Sequence, residues 1–157
     1  MKKITLNSIR VQNIKTVFDI IASHENITRS EIAKLSNLSL MTVSNIIEHL
    51  DKLNIVLNDI KDQTSMVGRK AELISVNRDS RKFIIMDLTT FNFSFLVLNL
   101  DLTVHYSYNK WRYKKDKSYK ENLTNFLSAV KEYIHGESLA STIAGIGVSV
   151  PGPYEAN

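Results

Sequence analysis

The chain has 157 residues, enough for one medium domain or two small ones. Its 20 Lys and Arg against 16 Asp and Glu leave a formal charge of +4, a mildly basic balance that permits a nucleic-acid partner without arguing for one. With no cysteine, disulfides and thiolate metal sites are excluded, a reducing cytoplasm is expected, and no apolar run approaches the ~20 residues of a membrane-spanning helix.

The N-terminal MKKITLNSIR has two lysines but neither a continuous apolar segment nor a small-residue cleavage site, so it is not read as a signal peptide. From about Ser8 to His24 the residues Ile14, Val17, Phe18 and Ile21 recur at helical spacing, which predicts a helix with Arg10, Lys15 and Asp19 in water. The stretch Thr28 to Leu50 then predicts two short helices and a tight turn. Thr28 and Glu31 form a capping box, and Ile32, Ala33 and Leu35 supply apolar contacts. Asn37 stands at the turn, where Asn tolerates the left-handed conformation, and Ser39 caps the second helix. Val43, Ile46, Ile47 and Leu50 give that helix one buried stripe.

The outward face keeps Leu40, Met41, Thr42, Ser44, Asn45, Glu48 and His49. Such a face suits a helix in the DNA major groove, where Thr42, Ser44 and Asn45 reach base edges and Met41 touches a thymine methyl. An ordinary helical hairpin with a solvated face fits the same residues. The next segment separates the two. Ile55-Val56-Leu57 and Leu73-Ile74-Ser75-Val76 are strand-like, with a polar tract and Gly68-Arg69-Lys70 between them. Two strands with a basic tip behind a recognition helix describe a wing, which sets cations over phosphates or the minor groove. Arg29, near a helix N-terminus, is a further phosphate contact. The expected DNA-binding residues are therefore Arg29, Ser39, Met41, Thr42, Ser44, Asn45, Gly68, Arg69 and Lys70. No catalytic residue, metal ligand or cofactor is expected.

The polar run Asn77 to Lys82 marks a junction, giving expected domains of 1–78 and 79–157. Beyond it, Phe83 to Leu88 reads as a central strand, Phe93 to Leu100 as a second and Leu102 to Trp111 as a third, with a tight turn at Asn99 to Leu102. The basic and aromatic KWRYKKDKSYK run has a pattern that can bind nucleic acid, but is read as a strand end and solvated loop. Ser118 and Glu121 form a second capping box, before a helix that buries Leu123, Phe126, Leu127, Val130 and Ile134 and stops at Gly136. Ile143 to Val150 reads as a buried, glycine-bearing strand ahead of Pro151-Gly152-Pro153. The class is α+β: a winged helix-turn-helix followed by a β-β-β-α-β layer.

Three segments carry a resemblance to the ROK family of sugar kinases and sugar-responsive bacterial repressors: GRKAELISVN, IIMDLTTFNFSFLVLNLD and AGIGVSVPGP. The resemblance implies a winged helix-turn-helix fused to the first part of an actin-like ROK half-domain. It implies a transcriptional regulator, a repressor of a carbohydrate-use operon, acting as a homodimer on a double-stranded operator in the cytoplasm. The segment after Asp87 departs from the family's kinases, whose glycines cradle phosphates, because Leu88-Thr89-Thr90-Phe91 has none. The family's catalytic aspartate, sugar-binding Glu and His and zinc-binding cysteines lie beyond the Pro-Gly-Pro. This stretch is therefore expected to be no enzyme and to bind no sugar effector, with Phe91, Phe93 and Phe95 short of cover. The alternatives are a protein-interaction module or a non-catalytic remnant of a ROK sugar kinase.

Overall fold

Helix α1 (Leu6–Ala22) begins and ends two residues before its periodicity suggests. Its last carbonyls are taken locally. The Ser23 hydroxyl and His24 Nδ1–H both donate to Ile20 O, at 2.9 and 2.7 Å, and close the helix before His24. The computed structural model describes residues 6–60, 72–89, 92–109 and 111–152, which fall into two compact units, 1–77 and 78–157. No helix among the described residues is long and apolar enough to cross a membrane.

In the first unit, α1 is followed by β1 (Ile27–Thr28), α2 (Arg29–Ser36), α3 (Leu40–Lys52), β2 (Val56–Ile60) and β3 (Glu72–Val76). The strands form an antiparallel sheet in the order β1-β3-β2, with Ile27 opposite Ile74 and Val56 opposite Val76. The two-residue β1 escaped the sequence reading because it is too short for a period, although Ile27 and Thr28 are both β-branched. Val17, Ile21, Ile32, Val43, Ile47 and Ile74 are fully buried where the three helices meet the sheet. The expected α3 stripe is all buried, whereas Leu35 is 56% exposed. Leu38, beyond the turn, packs on the core where Leu35 had been expected.

The second unit holds β4 (Lys82–Leu88), β5 (Phe93–Asn99), β6 (Val104–Tyr108), α4 (Tyr119–Gly136) and β7 (Ile143–Ser149). The sheet order is β6-β5-β4-β7, antiparallel except for β4 with β7. Helix α4 carries the chain from one edge of the sheet to the other, as a parallel pairing requires. The β5–β6 turn is held by Leu102 N–H donating to Asn99 O at 3.0 Å, with Leu102 at φ 64°. Phe93, Phe95, Phe126 and Val130 are buried between sheet and helix, ringed by Tyr106, Trp111 and Tyr133.

Four expectations change here. Phe93 and Phe95 are covered by α4 rather than exposed, while Phe91 lies outside the described residues. Leu127 is exposed, and Asn122 is buried instead, its side chain bonded to the backbone of Lys114, Lys117 and Ser118. Gly136 ends α4 without a left-handed cap, which falls two residues later at Ser138. Strand β7 is an edge strand with Ile146 61% exposed, not a buried one. Its glycines serve close approach: a Cβ on Gly147 would sit 3.0 Å from Ile85 Cδ1, and one on Gly145 3.3 Å from Phe83 Cδ1.

The start of the second unit is tied by a polar network. Lys82, 3% exposed, donates through Nζ to Asp79 Oδ1 (2.7 Å) and Asn99 Oδ1 (2.6 Å). Asn99 donates to Thr103 Oγ1, Thr103 to Asp101, and Arg78 pairs with Asp101 at 2.9 Å. Burial alone would raise the Asp101 carboxyl, but bonds from Thr103 and the Arg78 charge outweigh it and hold it below the ordinary range.

Candidate nucleic-acid interface

The helix pair is set by three local devices. Thr28 N–H donates to Glu31 Oε2 (2.9 Å) while Glu31 N–H donates to Thr28 Oγ1 (3.3 Å), so two orphan amides at the start of α2 are satisfied reciprocally. The Thr28 backbone amide and, at 2.8 Å, its hydroxyl both donate to Glu31 Oε2 and hold that carboxyl below the ordinary range. Asn37 takes the left-handed conformation (φ 55°, ψ 26°) that turns the chain out of α2. Ser39 Oγ then accepts from Thr42 N–H at 3.1 Å and caps α3.

Three expected site residues are partly committed to structure. Ser39 Oγ shares a 2.8 Å bond with Thr42 Oγ1, so both hydroxyls orient the start of α3 before they meet any ligand. A hydroxyl has one donor and two acceptor sites, so each keeps capacity for a further bond. Arg29, the first residue of α2, is ion-paired to Glu72 on β3. That pair fastens the helix start to the sheet and offsets the charge Arg29 could offer a phosphate.

The remaining α3 residues separate by angle. At about 100° per residue, Met41, Asn45 and Glu48 fall on the ridge opposite the buried stripe. All three are exposed, Met41 at 71%. Ser44 lies on one flank with Leu40, and it is half-buried. Thr42, Asn45 and His49, spaced by three and four, share the other flank. That flank and α1 form a crevice of ≈ 380 Å³ lined by Ile9, Arg10, Asn13, Ile14, Thr42, Asn45, Ile46 and His49. Local spacing puts Arg10 in water and gives Asn13 no role, because only the helix crossing brings them beside Asn45. Gly68, Arg69 and Lys70 lie outside the described residues. They stand in the segment joining β2 to β3, whose antiparallel pairing matches the expected wing strands.

Among the described residues no group of three or more His, Asp or Glu is placed to hold a metal ion. Strand β4 runs through Asp87 to Leu88 and is followed by Thr89, whose hydroxyl donates to Asn92 O at 2.6 Å.

No family model matches the chain. It is 29% identical over 150 residues to a xylose repressor from Staphylococcus xylosus, a match covering 92% of this chain and 37% of the repressor. It superposes with a TM-score of 0.64 on the crystal structure of a ROK family transcriptional regulator, a homolog of the E. coli MLC protein. There the identity is 18%, over 91% of this chain and 36% of the regulator. A Campylobacter jejuni peroxide stress regulator gives a TM-score of 0.36, too low to bear on the fold. The chain thus spans little more than a third of the length of the xylose repressor and the ROK regulator. Both bear out the resemblance to ROK regulators, and the superposition shows a shared fold: a winged helix followed by a mixed sheet with one helix.

Proposed function

We propose that this chain carries the DNA-binding part of a transcriptional repressor of carbohydrate use, acting as a homodimer on a pseudo-palindromic operator. One observation carries the reading: α3 presents an exposed ridge of Met41, Asn45 and Glu48 from a doubly capped helix pair backed by a wing-type sheet. The likeness to the S. xylosus xylose repressor supports the repressor and sugar terms. Asn45 would pair with adenine, Glu48 would accept from a cytosine amino group, and Met41 would contact a thymine methyl. Arg69 and Lys70 would set charge on phosphates, with Ser39, Thr42 and Arg29 fixing the helices that present the ridge. Repression is then occupancy of the operator, with no chemical step, in the cytoplasm where the DNA is. A single winged helix reads few base pairs, and a two-fold dimer doubles the site.

The test is selection of duplexes from a random-sequence pool by this chain, followed by binding of the selected duplex. Asn45→Ala is expected to relax preference at one base pair, at about 1–3 kcal/mol. Arg69→Ala is expected to weaken all sequences alike and to lower the salt slope by about one. Failure to enrich any sequence, or parental behaviour of both variants, overturns the reading. Sedimentation showing only monomer with and without the duplex overturns the dimer.

A further inference from the structure

We propose that the crevice between α1 and α3 is a second DNA contact, in which Arg10 takes a phosphate beside the bases read by Asn45. This rests on the DNA-binding reading above and extends it to a helix outside the helix-turn-helix pair. Three observations carry it. First, the crevice is continuous with the reading ridge, since Asn45 belongs to both. Second, its titratable lining residues are Arg10 and His49, with no acid among the lining, so its charge complements a polyanion. Glu48, the acidic neighbour of His49, points along the ridge about 100° away round the helix. Third, Arg10 is exposed and unpaired among the described residues, unlike Lys15 five residues on, which is bonded to Asp19 at 2.6 Å.

The geometry suits a sugar-phosphate strand better than a base. The floor is apolar, from Ile9, Ile14 and Ile46, and accepts the sugar edge. Arg10 and Asn13 stand along the α1 side of this floor and supply donors to phosphate oxygens. A neighbouring depression of ≈ 520 Å³ shares Arg10, Ile14 and His49, so Arg10 lines two adjoining concave surfaces that one strand would cross. Contacts of this kind fix the register of the recognition helix and carry no sequence information themselves.

The experiment compares the parent chain with Arg10→Ala, Arg10→Lys and Lys15→Ala on the duplex that the parent selects from a random pool and on a scrambled duplex. Arg10→Ala is expected to weaken both duplexes about three- to tenfold and to lower the salt slope by about one. Arg10→Lys should restore the slope, and Lys15→Ala should match the parent. Ethylation of one phosphate flanking the Asn45-dependent base pair should hinder the parent and not Arg10→Ala. If Arg10→Ala keeps the parental slope while Asn45→Ala still shifts sequence preference, this proposal falls and the DNA-binding reading stands. A change in sedimentation without a change in slope would make α1 a protein contact and overturns the proposal as well. If the parent enriches no duplex, both readings fall together.

Discussion

The two units fill their cores with different chemistry. In the first, the buried set is Val17, Ile21, Ile27, Ile32, Val43, Ile46, Ile47, Leu50, Val56 and Ile74, all aliphatic. In the second, Phe93, Phe95 and Phe126 lie at the centre, with Tyr106 stacked on Tyr133 at 4.1 Å and Trp111 edge-on to Phe126 at 5.6 Å. Packed helices stand about 8–10 Å apart, and branched aliphatics fill that gap from several directions. A single helix on a four-stranded sheet has fewer positions with which to cover more area, and rings of about 150–250 Å² each make up the difference. The first core therefore spreads its stability over many similar residues. The second concentrates it in a few.

The largest expected effect tests that concentration. Phe126→Ala removes a ring that touches Phe93, Phe95 and Trp111, and should destabilise the second unit by about 3–5 kcal/mol. Trp111 is the only tryptophan, so its fluorescence reports this unit alone, and its urea midpoint should fall while helical ellipticity from the first unit persists. An unchanged Trp111 transition would contradict the concentrated core. Ile47→Ala, in the spread-out core, should cost about 2–5 kcal/mol and lower the ellipticity midpoint without moving the Trp111 transition. If both probes move together for both variants, the units unfold as one and the contrast fails.

A smaller effect compares like with like, because among the described residues each unit has one capping box. Thr28→Ala and Ser118→Ala should each cost about 1 kcal/mol, read as midpoint shifts in the probe of the unit concerned. The smallest effect is their pH dependence. Glu31 is held below its ordinary value by the Thr28 amide and hydroxyl, and Glu121 by the Ser118 hydroxyl and amide. A depressed carboxyl contributes stability above its unfolded value, about 4.3, and loses it as pH falls through the folded value. The cost of either substitution should accordingly be smaller at pH 3 than at pH 7. An equal cost at both would show that the carboxylate half of the box is idle.

Much of the candidate site was legible before the fold was known. Thr28, Glu31 and Ser39 act on backbone groups within three residues of themselves, and Asn37 acts through its own left-handed backbone, so spacing along the chain is enough to assign their roles. The α3 stripe was legible for the same reason, since a helix converts sequence spacing directly into a face. What lay beyond reach depended on groups far apart in sequence. The Arg29–Glu72 pair joins positions 43 apart, and the crevice brings Arg10 and Asn13 to Asn45 across a helix crossing. Leu35, Leu127 and Ile146 carry apolar side chains that local pattern assigns to a core, yet each is exposed. Hydrophobicity states what a side chain favours. Which positions find a partner is decided by how the elements meet, so strand order left β7 at an edge, and on α4 the polar Asn122 is buried while the apolar Leu127 is exposed.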